Sequence, residues 1–320
     1  MKRTKAIIDC DPGHDDAVAI LLAARHFDLL GVTTVGGNAP VWRVTENALR
    51  VLELIGRPEV PVARGAAGPI LGSLPRAGER VHGATGLDGA ELPRGSNRVI
   101  TKGAVEFLVE TVMGNPGTVV IATGPLTNLA LAMRVEPRLA KSIARLSIMG
   151  GSATWGNVTA AAEFNAWADP EAAHIVFSSG ARITMCGLDL TRQAAVGPET
   201  IARFRAVGTH TAGVVADLLE HYRAAAERVY GTPAVPLHDP CAVAALAAPE
   251  LFEVTPAHVA VELRGEETRG MTVVDRRFLG AEAAEQRRAA GAPEPNCRLA
   301  TRVDAEGLFR LVEEALAACP

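Results

Sequence analysis

Ile7-Ile8-Asp9-Cys10-Asp11-Pro12-Gly13-His14-Asp15-Asp16-Ala17 ends an apolar run in four acids within eight positions. Pro12 and Gly13 break the chain, and Ala17-Val18-Ala19-Ile20-Leu21-Leu22-Ala23-Ala24 then continues without a polar residue. The pattern predicts a buried strand, a tight turn and a buried helix. In open α/β sheets, ligands sit at the carboxyl ends of the strands, so this turn would gather its carboxylates at such a place. Clustered carboxylates repel one another and resist desolvation. A hard divalent cation, Ca²⁺ or Mg²⁺, takes oxygen ligands and relieves both problems. Helix capping and the helix dipole account for Asp15 or Asp16 without any ligand. They leave Asp9 and Asp11, at alternate positions of a buried strand, unexplained.

Outward from this stretch, strands and helices alternate. Leu29 to Val35 reads as a second buried strand ending in Gly36-Gly37-Asn38, and Val41 to Ile55 as a helix with Val44, Ala48, Leu52 and Ile55 on one face. Val60 to Ala63, Thr118 to Ala122, Leu146 to Met149 and Ile183 to Cys186 read as further strands. This alternation predicts a parallel sheet with right-handed crossovers, an α/β fold. Two stretches break the pattern. Gly65 to Arg98, with His82-Gly83 inside it, reads as a covering loop. Ser152 to Ala168 is irregular and carries Trp155, Asn157, Glu163, Asn165 and Trp167. Asp169-Pro170 reads as a cap and first position of a helix. Helices are expected near 198–207, 209–230 and 241–247, with Pro236-Leu237-His238-Asp239-Pro240 before the last of these. Val259 to Glu262 and Met271 to Val274 read as antiparallel additions, Gly280 to Asn296 as an exposed segment, and Leu299 to Val303 with a final helix closes the chain. No repeat or composition shift marks a boundary, so residues 1–320 are expected to form one domain.

With 320 residues, 48% of them hydrophobic and 21% charged, the chain can bury a sizeable core. A net charge of −4 gives no basic field for nucleic acid. The five cysteines (Cys10, Cys186, Cys241, Cys297, Cys319) show neither a paired motif nor a zinc spacing. Reduced thiols and a cytoplasmic location are the expectation. The apolar run after the basic start is too short for a signal peptide, and no apolar stretch is long enough for a bilayer span.

Asp9-Cys10-Asp11-Pro12-Gly13-His14-Asp15-Asp16-Ala17 resembles the N-terminal signature of the nucleoside hydrolases, the calcium-dependent nucleoside N-ribohydrolases. The resemblance runs in family order along nearly the whole chain. It includes Val32-Thr33-Thr34-Val35-Gly36-Gly37-Asn38, His82-Gly83, Thr123-Gly124-Pro125-Leu126-Thr127-Asn128, Met149-Gly150-Gly151, Glu163-Phe164-Asn165 and His238-Asp239-Pro240. It implies a Rossmann-like, mainly parallel sheet whose strand ends bring these residues together. It also implies one Ca²⁺ per subunit, held by Asp11, Asp16, Asp239 and the backbone carbonyl of Thr123.

The same resemblance implies the chemistry. Asp11 would be the general base toward a water made more acidic by the cation. Asp15, Asn38, Asn165 and Asp239 would hold the 2′- and 3′-hydroxyls of a ribose, Asn157 and Glu163 its 5′-hydroxyl, and the backbone near Met149 would face the sugar. His238 matches the acid toward the leaving base in the inosine-uridine and pyrimidine branches, and His82 a base-side histidine of the same branches. The covering-loop position is His82, not an aromatic residue, which favours pyrimidine or nonspecific use. Trp155, Tyr222 and Tyr230 leave purines open. His14 departs from the apolar residue usual at its position and is expected at the surface with no role. A homodimer or homotetramer is implied as well.

Three other readings stand beside this one. A noncatalytic ribose- or nucleoside-binding protein would be indicated by loss of the base or metal ligands, yet Asp11, Asp16, His238 and Asp239 are all present. The same chemistry could also serve a ribosylated metabolite that is not an ordinary nucleoside. An Asp-x-Asp after a strand also opens the haloacid dehalogenase-type phosphotransferases. Pro12-Gly13 does not fit that pattern, and Lys102 and Lys141 are the only lysines after residue 5.

Overall fold

The computed structural model describes residues 3–73, 79–278 and 283–320, apart from the side chains of residues 79, 80 and 230. Among them one eight-stranded sheet organises the chain. Six strands come in chain order: β1 (Lys5–Cys10), β2 (Asp28–Thr34), β3 (Val62–Arg64), β4 (Val119–Ala122), β5 (Leu146–Met149) and β6 (Ile183–Cys186). They lie in the order β3-β2-β1-β4-β5-β6, followed by Cys297–Val303 and Phe252–Ala257. Every pairing is parallel except the last, where Phe252–Ala257 runs antiparallel against Cys297–Val303. This is the doubly wound order, and its direction of winding reverses between β1 and β4. At such a switch point the crossovers leave toward opposite faces, so a crevice opens at the carboxyl ends of these two strands.

The strands are apolar on both faces because helices cover both; β4, β5 and β6 are buried at every position. The helix His14–His26 is buried from His14 through Ala24, as expected for one that is apolar all round. By contrast, Val41–Leu54 buries one stripe, with Val44, Ala48 and Leu52 at 1% exposure or less. Asp169 caps the helix Pro170–Phe177, its carboxylate accepting the Ala172 N–H at 3.0 Å, and Pro170 takes the first position. The same carboxylate accepts the Thr127 hydroxyl at 2.6 Å and the Ile70 N–H at 2.9 Å, tying two loops to the helix start.

Three sequence expectations are refined. Val259–Val261 and Thr272–Val274 do pair antiparallel, but with each other in a separate hairpin. The helix expected from Cys241 begins at His238, because Leu237 already has the capping position and Pro240 fits a first turn. Within the segment expected to be exposed, Ala283–Ala289 is helical and buries Arg287, which donates to the Phe278 carbonyl at 2.9 Å. Residues 280–282 of that segment lie outside the described residues.

Candidate active site

β1 delivers the acids. Its alternation separates the two that sequence alone left together. Asp9 points into the sheet layer, where its Oδ1 accepts the Thr33 hydroxyl at 2.5 Å and the Asn128 amide at 2.8 Å. Asn128 in turn donates to the Thr34 carbonyl at 3.0 Å and accepts the Ala66 N–H at 2.9 Å. Asp9 is therefore an architectural anchor that fixes the ends of β1, β2 and the loop after β3. Asp11, one residue past the strand, faces the crevice.

Asp11 is held by backbone. The Asn38 N–H donates to its Oδ2 at 2.7 Å, and the Asn38 side chain donates to its carbonyl at 3.2 Å. Gly37 and Gly124 close around it, and a Cβ on Gly37 would come within 1.9 Å of Oδ2. The other oxygen, Oδ1, is buried with no hydrogen-bond partner. Asp16 stands in the first turn of the following helix. It accepts the Gly13 N–H at 2.9 Å and the Thr123 hydroxyl at 2.8 Å. Carboxylate oxygens of Asp15, Asp16 and Asp239 lie within 4.8 Å of one another, all buried. Asp239 arrives from 224 residues further along the chain, and its N–H reaches Asp15 Oδ2 at 3.5 Å.

Four acids at this density disturb one another. Burial pushes Asp15 up to about 7, with the Asp16 charge adding to it. Burial also raises Asp11 and Asp239 well above the usual carboxylate range, Asp16 adding most for Asp11 and Asp15 most for Asp239. An oxygen-only donor set with an orphaned buried carboxylate oxygen fits a hard divalent cation. Asp11, Asp15, Asp16 and Asp239 are the side chains able to hold it.

This has a consequence for stability. An acid whose pKa is higher folded than unfolded stabilises the fold below its unfolded value and loses that contribution as pH rises through its folded value. Asp15 and Glu163, both pushed up to about 7 by burial, act this way, as do Asp11 and Asp239. The buried rings of His14, His82 and His238 shift downward, chiefly through burial, and oppose this only below about 6.5, where unfolded histidine takes up a proton. Between pH 6.5 and 8 the carboxylates dominate. The Tm of chelator-treated protein is therefore expected to fall by several degrees across that window, and saturating Ca²⁺ to remove the slope. A flat or rising Tm in chelator would contradict it.

Around the acids lies a cavity of about 990 Å³. Asp11, Asp15, Asn38, Thr123, Met149, Asn157, Glu163, Asn165, Asp239, His82 and His238 all line it, so the crevice gathers eleven of the twelve residues expected from sequence. The twelfth, Asp16, lies behind them, fully buried. Asn165 ties two strand ends together, its amide donating to the Thr123 carbonyl at 2.7 Å and the Met149 carbonyl at 3.0 Å. Glu163 lines the cavity and also caps the helix Phe164–Ala168, its carboxylate accepting the N–H groups of Asn165, Ala166 and Gly151 at 2.9, 3.1 and 2.7 Å. Asn157 accepts the Phe164 N–H at 2.9 Å.

Two histidines line the same cavity. His238 Nδ1 lies 2.6 Å from the Thr191 hydroxyl. Burial, and then the charge of Arg192, lowers its pKa to about 4. His82 ends the short helix Glu79–His82 in the covering loop, with Tyr222 stacked 5.1 Å from it. Sequence reasoning missed Thr191, whose residue type carries no signal until the fold sets it against His238. It also misplaced His14, which is fully buried beneath His82. The departure from the apolar residue usual at its position suggested the surface, whereas residues 6–24 are all buried. Trp155 is 61% exposed under the Arg192 guanidinium and does not line the cavity, whereas Tyr222 does. The side chain of Tyr230 lies outside the described residues.

A switch-point crevice lined by buried acids and by two histidines, His82 and His238, is the candidate active site of an α/β enzyme. The chain belongs to the inosine-uridine preferring nucleoside hydrolase family, whose model matches residues 6–310, and it is accordingly a nucleoside N-ribohydrolase. It is 42% identical over 315 residues to the pyrimidine-specific ribonucleoside hydrolase RihA of Citrobacter koseri, covering 97% of each chain. To RihA of Shewanella woodyi it is 48% identical over 277 residues, covering 84% of this chain and 88% of that one. Among solved structures, the purine-preferring ribonucleoside hydrolase of Gardnerella vaginalis superposes with a TM-score of 0.88 at 31% identity, covering 98% of both chains. Among the described residues, no helix is long and apolar enough to cross a membrane.

Proposed function

We propose that this enzyme cleaves pyrimidine ribonucleosides, uridine and cytidine foremost, into base and ribose, with Asp11 as general base and His238 assisting the leaving base. The observation that carries this reading is the orphaned, buried Oδ1 of Asp11 beside the Asp15–Asp16–Asp239 cluster. A bound Ca²⁺, one per subunit, would keep these carboxylates ionised and raise the acidity of a neighbouring water, with Asp11, Asp16, Asp239 and the Thr123 carbonyl as its ligands. Asp11, its other oxygen pinned by the Asn38 N–H, takes the proton of the water that attacks the anomeric carbon. Asn38, Asn165, Asp15 and Asp239 hold the 2′- and 3′-hydroxyls. Asn157 and Glu163 address the 5′-hydroxyl, and the Met149 backbone faces the ring.

At the other end, the Thr191 hydroxyl donates to His238 Nδ1, which leaves the Nε2–H for the departing base. A ring held near 4 is neutral at pH 7. It therefore acts as a neutral hydrogen-bond donor whose Nε2–H stabilises the charge growing on the departing base, which takes its proton from solvent after the bond breaks. His82 is the second contact of the base. Pyrimidine preference is supported by this histidine pair and by the names of the relatives at 42 and 48% identity. In this reading residues 1–320 act as one domain within a cytoplasmic homodimer or homotetramer serving nucleoside salvage. Five free cysteines among the described residues support a reducing location.

The test is reducing-sugar release from uridine, cytidine, inosine and 2′-deoxyuridine in the presence of Ca²⁺. Uridine and cytidine are expected to lead. 2′-Deoxyuridine should fall at least about 10²-fold behind in kcat/KM, because the groups that hold the 2′-hydroxyl would be left unpaired. Equal turnover of uridine and 2′-deoxyuridine would refute the sugar site, and a lead for inosine would refute the base preference.

A further inference from the structure

The fully buried ring of His14 has a use that the acid cluster around it hides. His14 opens the first helix and makes two side-chain hydrogen bonds. Its Nε2 lies 2.8 Å from the Asp88 carbonyl, and its Nδ1 lies 3.1 Å from Nδ1 of His82. The ring also stacks on His82, His221 and Tyr222, at centroid distances of 5.3, 5.6 and 5.4 Å. It thus touches the covering loop on one side and the helix His210–Tyr230 on the other.

The donors can be assigned by elimination. A carbonyl only accepts, so His14 Nε2 carries the proton toward Asp88. A fully buried imidazole with no acidic side chain hydrogen-bonded to it stays neutral, so His14 Nδ1 presents a lone pair. A second lone pair facing it at 3.1 Å would repel, so the shorter contact assigns a hydrogen to His82 Nδ1, which donates to His14 Nδ1. The His14 backbone N–H, aimed at the same His82 nitrogen from 3.4 Å, favours the opposite tautomer but is the longer and weaker of the two contacts. His82 Nε2 is then left as an acceptor, and no described residue bonds to it. The ring has little freedom to turn: a Cβ on Gly13 would come within 2.6 Å of His82 Nδ1. Its loop is tied down as well. The Asp88 carboxylate accepts the Ala84 and Thr85 N–H groups at 3.0 and 3.2 Å, and Asn47 bridges the Pro12 and Thr85 carbonyls at 3.0 and 2.9 Å.

We propose that His14 is the positioning residue of the base site: through Asp88 and its own Nδ1 it fixes His82 in the tautomer whose Nε2 accepts an N–H from the nucleobase. The proposal rests on the reading of the cavity as a pyrimidine ribonucleoside site. It narrows that site to bases with an N–H or NH₂ donor on the edge that meets His82, which uracil and cytosine both carry.

Two variants test it, with two substrates. His14→Phe keeps a stacking ring and removes both hydrogen bonds. His14→Asn restores an acceptor where Nδ1 stood. The substrates are uridine and p-nitrophenyl β-D-ribofuranoside, whose leaving group departs without help from the base site. His14→Phe is expected to lower kcat/KM for uridine roughly ten- to a hundredfold, the range for outer-layer orienting partners, while the aryl riboside changes less than threefold. His14→Asn should regain most of the loss on uridine. Equal losses on both substrates, no loss on either, or no rescue by His14→Asn would overturn the proposal. A wild type that cleaves the aryl riboside but not uridine would instead refute the underlying pyrimidine reading, and this inference with it.

Discussion

Replacing Asp11 by Asn is expected to lower kcat for uridine by roughly 10³–10⁴-fold while the protein stays folded, in line with losing a positioned general base. The size follows from where Asp11 stands. One oxygen is fixed by the Asn38 N–H and the close approach of Gly37, so the carboxyl cannot rotate away. The other is buried without a hydrogen-bond partner and so is free for the reacting water and the cation. Asn keeps the shape and the contact to Asn38 but neither accepts a proton nor carries charge. Because one acid is removed from a mutually repelling set, Asp11→Asn should melt no lower than wild type in chelator. A variant within tenfold of wild type would show that the base is another residue.

The second large effect concerns departure of the base. His238→Ala is expected to cost about 10²–10³-fold in kcat on uridine, the range for removing one preorganised donor to a developing negative charge. On p-nitrophenyl β-D-ribofuranoside, which needs no proton, it should cost less than about threefold. Thr191 holds Nδ1 of this ring at 2.6 Å, so Thr191→Val should show the same substrate dependence more weakly. A loss of equal size on both substrates would mean that His238 supports the acid cluster next door and takes no part in departure of the base.

Much of the arrangement is legible in the sequence, for physical reasons that differ by residue. The alternation of short apolar runs with helical spacing gives the parallel sheet, and the Asp-Pro-Gly turn marks the end of β1. Each strand terminus carries its own polar residue, such as Asn38 or Thr123, so the sheet edge could be anticipated one strand at a time. What could not be read is which polar groups serve the fold. Asp9 and Asp11 look alike on the page, and only the pairing of β1 with β2 and its contact with Asn128 turn Asp9 inward. Glu163 matches a substrate-binding position, yet three backbone N–H groups occupy its carboxylate. His14 is expected at the surface because a histidine replaces the apolar residue usual at its position. Its burial depends on residues 68 and 207 positions away in sequence, His82 and His221, that fold over it.

The most direct single measurement is reducing-sugar release from uridine by the wild-type protein, before chelation, after it, and after Ca²⁺ is returned. The buried acids on the carboxyl edge of β1 predict ribose release that chelation abolishes and Ca²⁺ restores. Undiminished release from fully cation-free protein would contradict the role given to the carboxylate cluster.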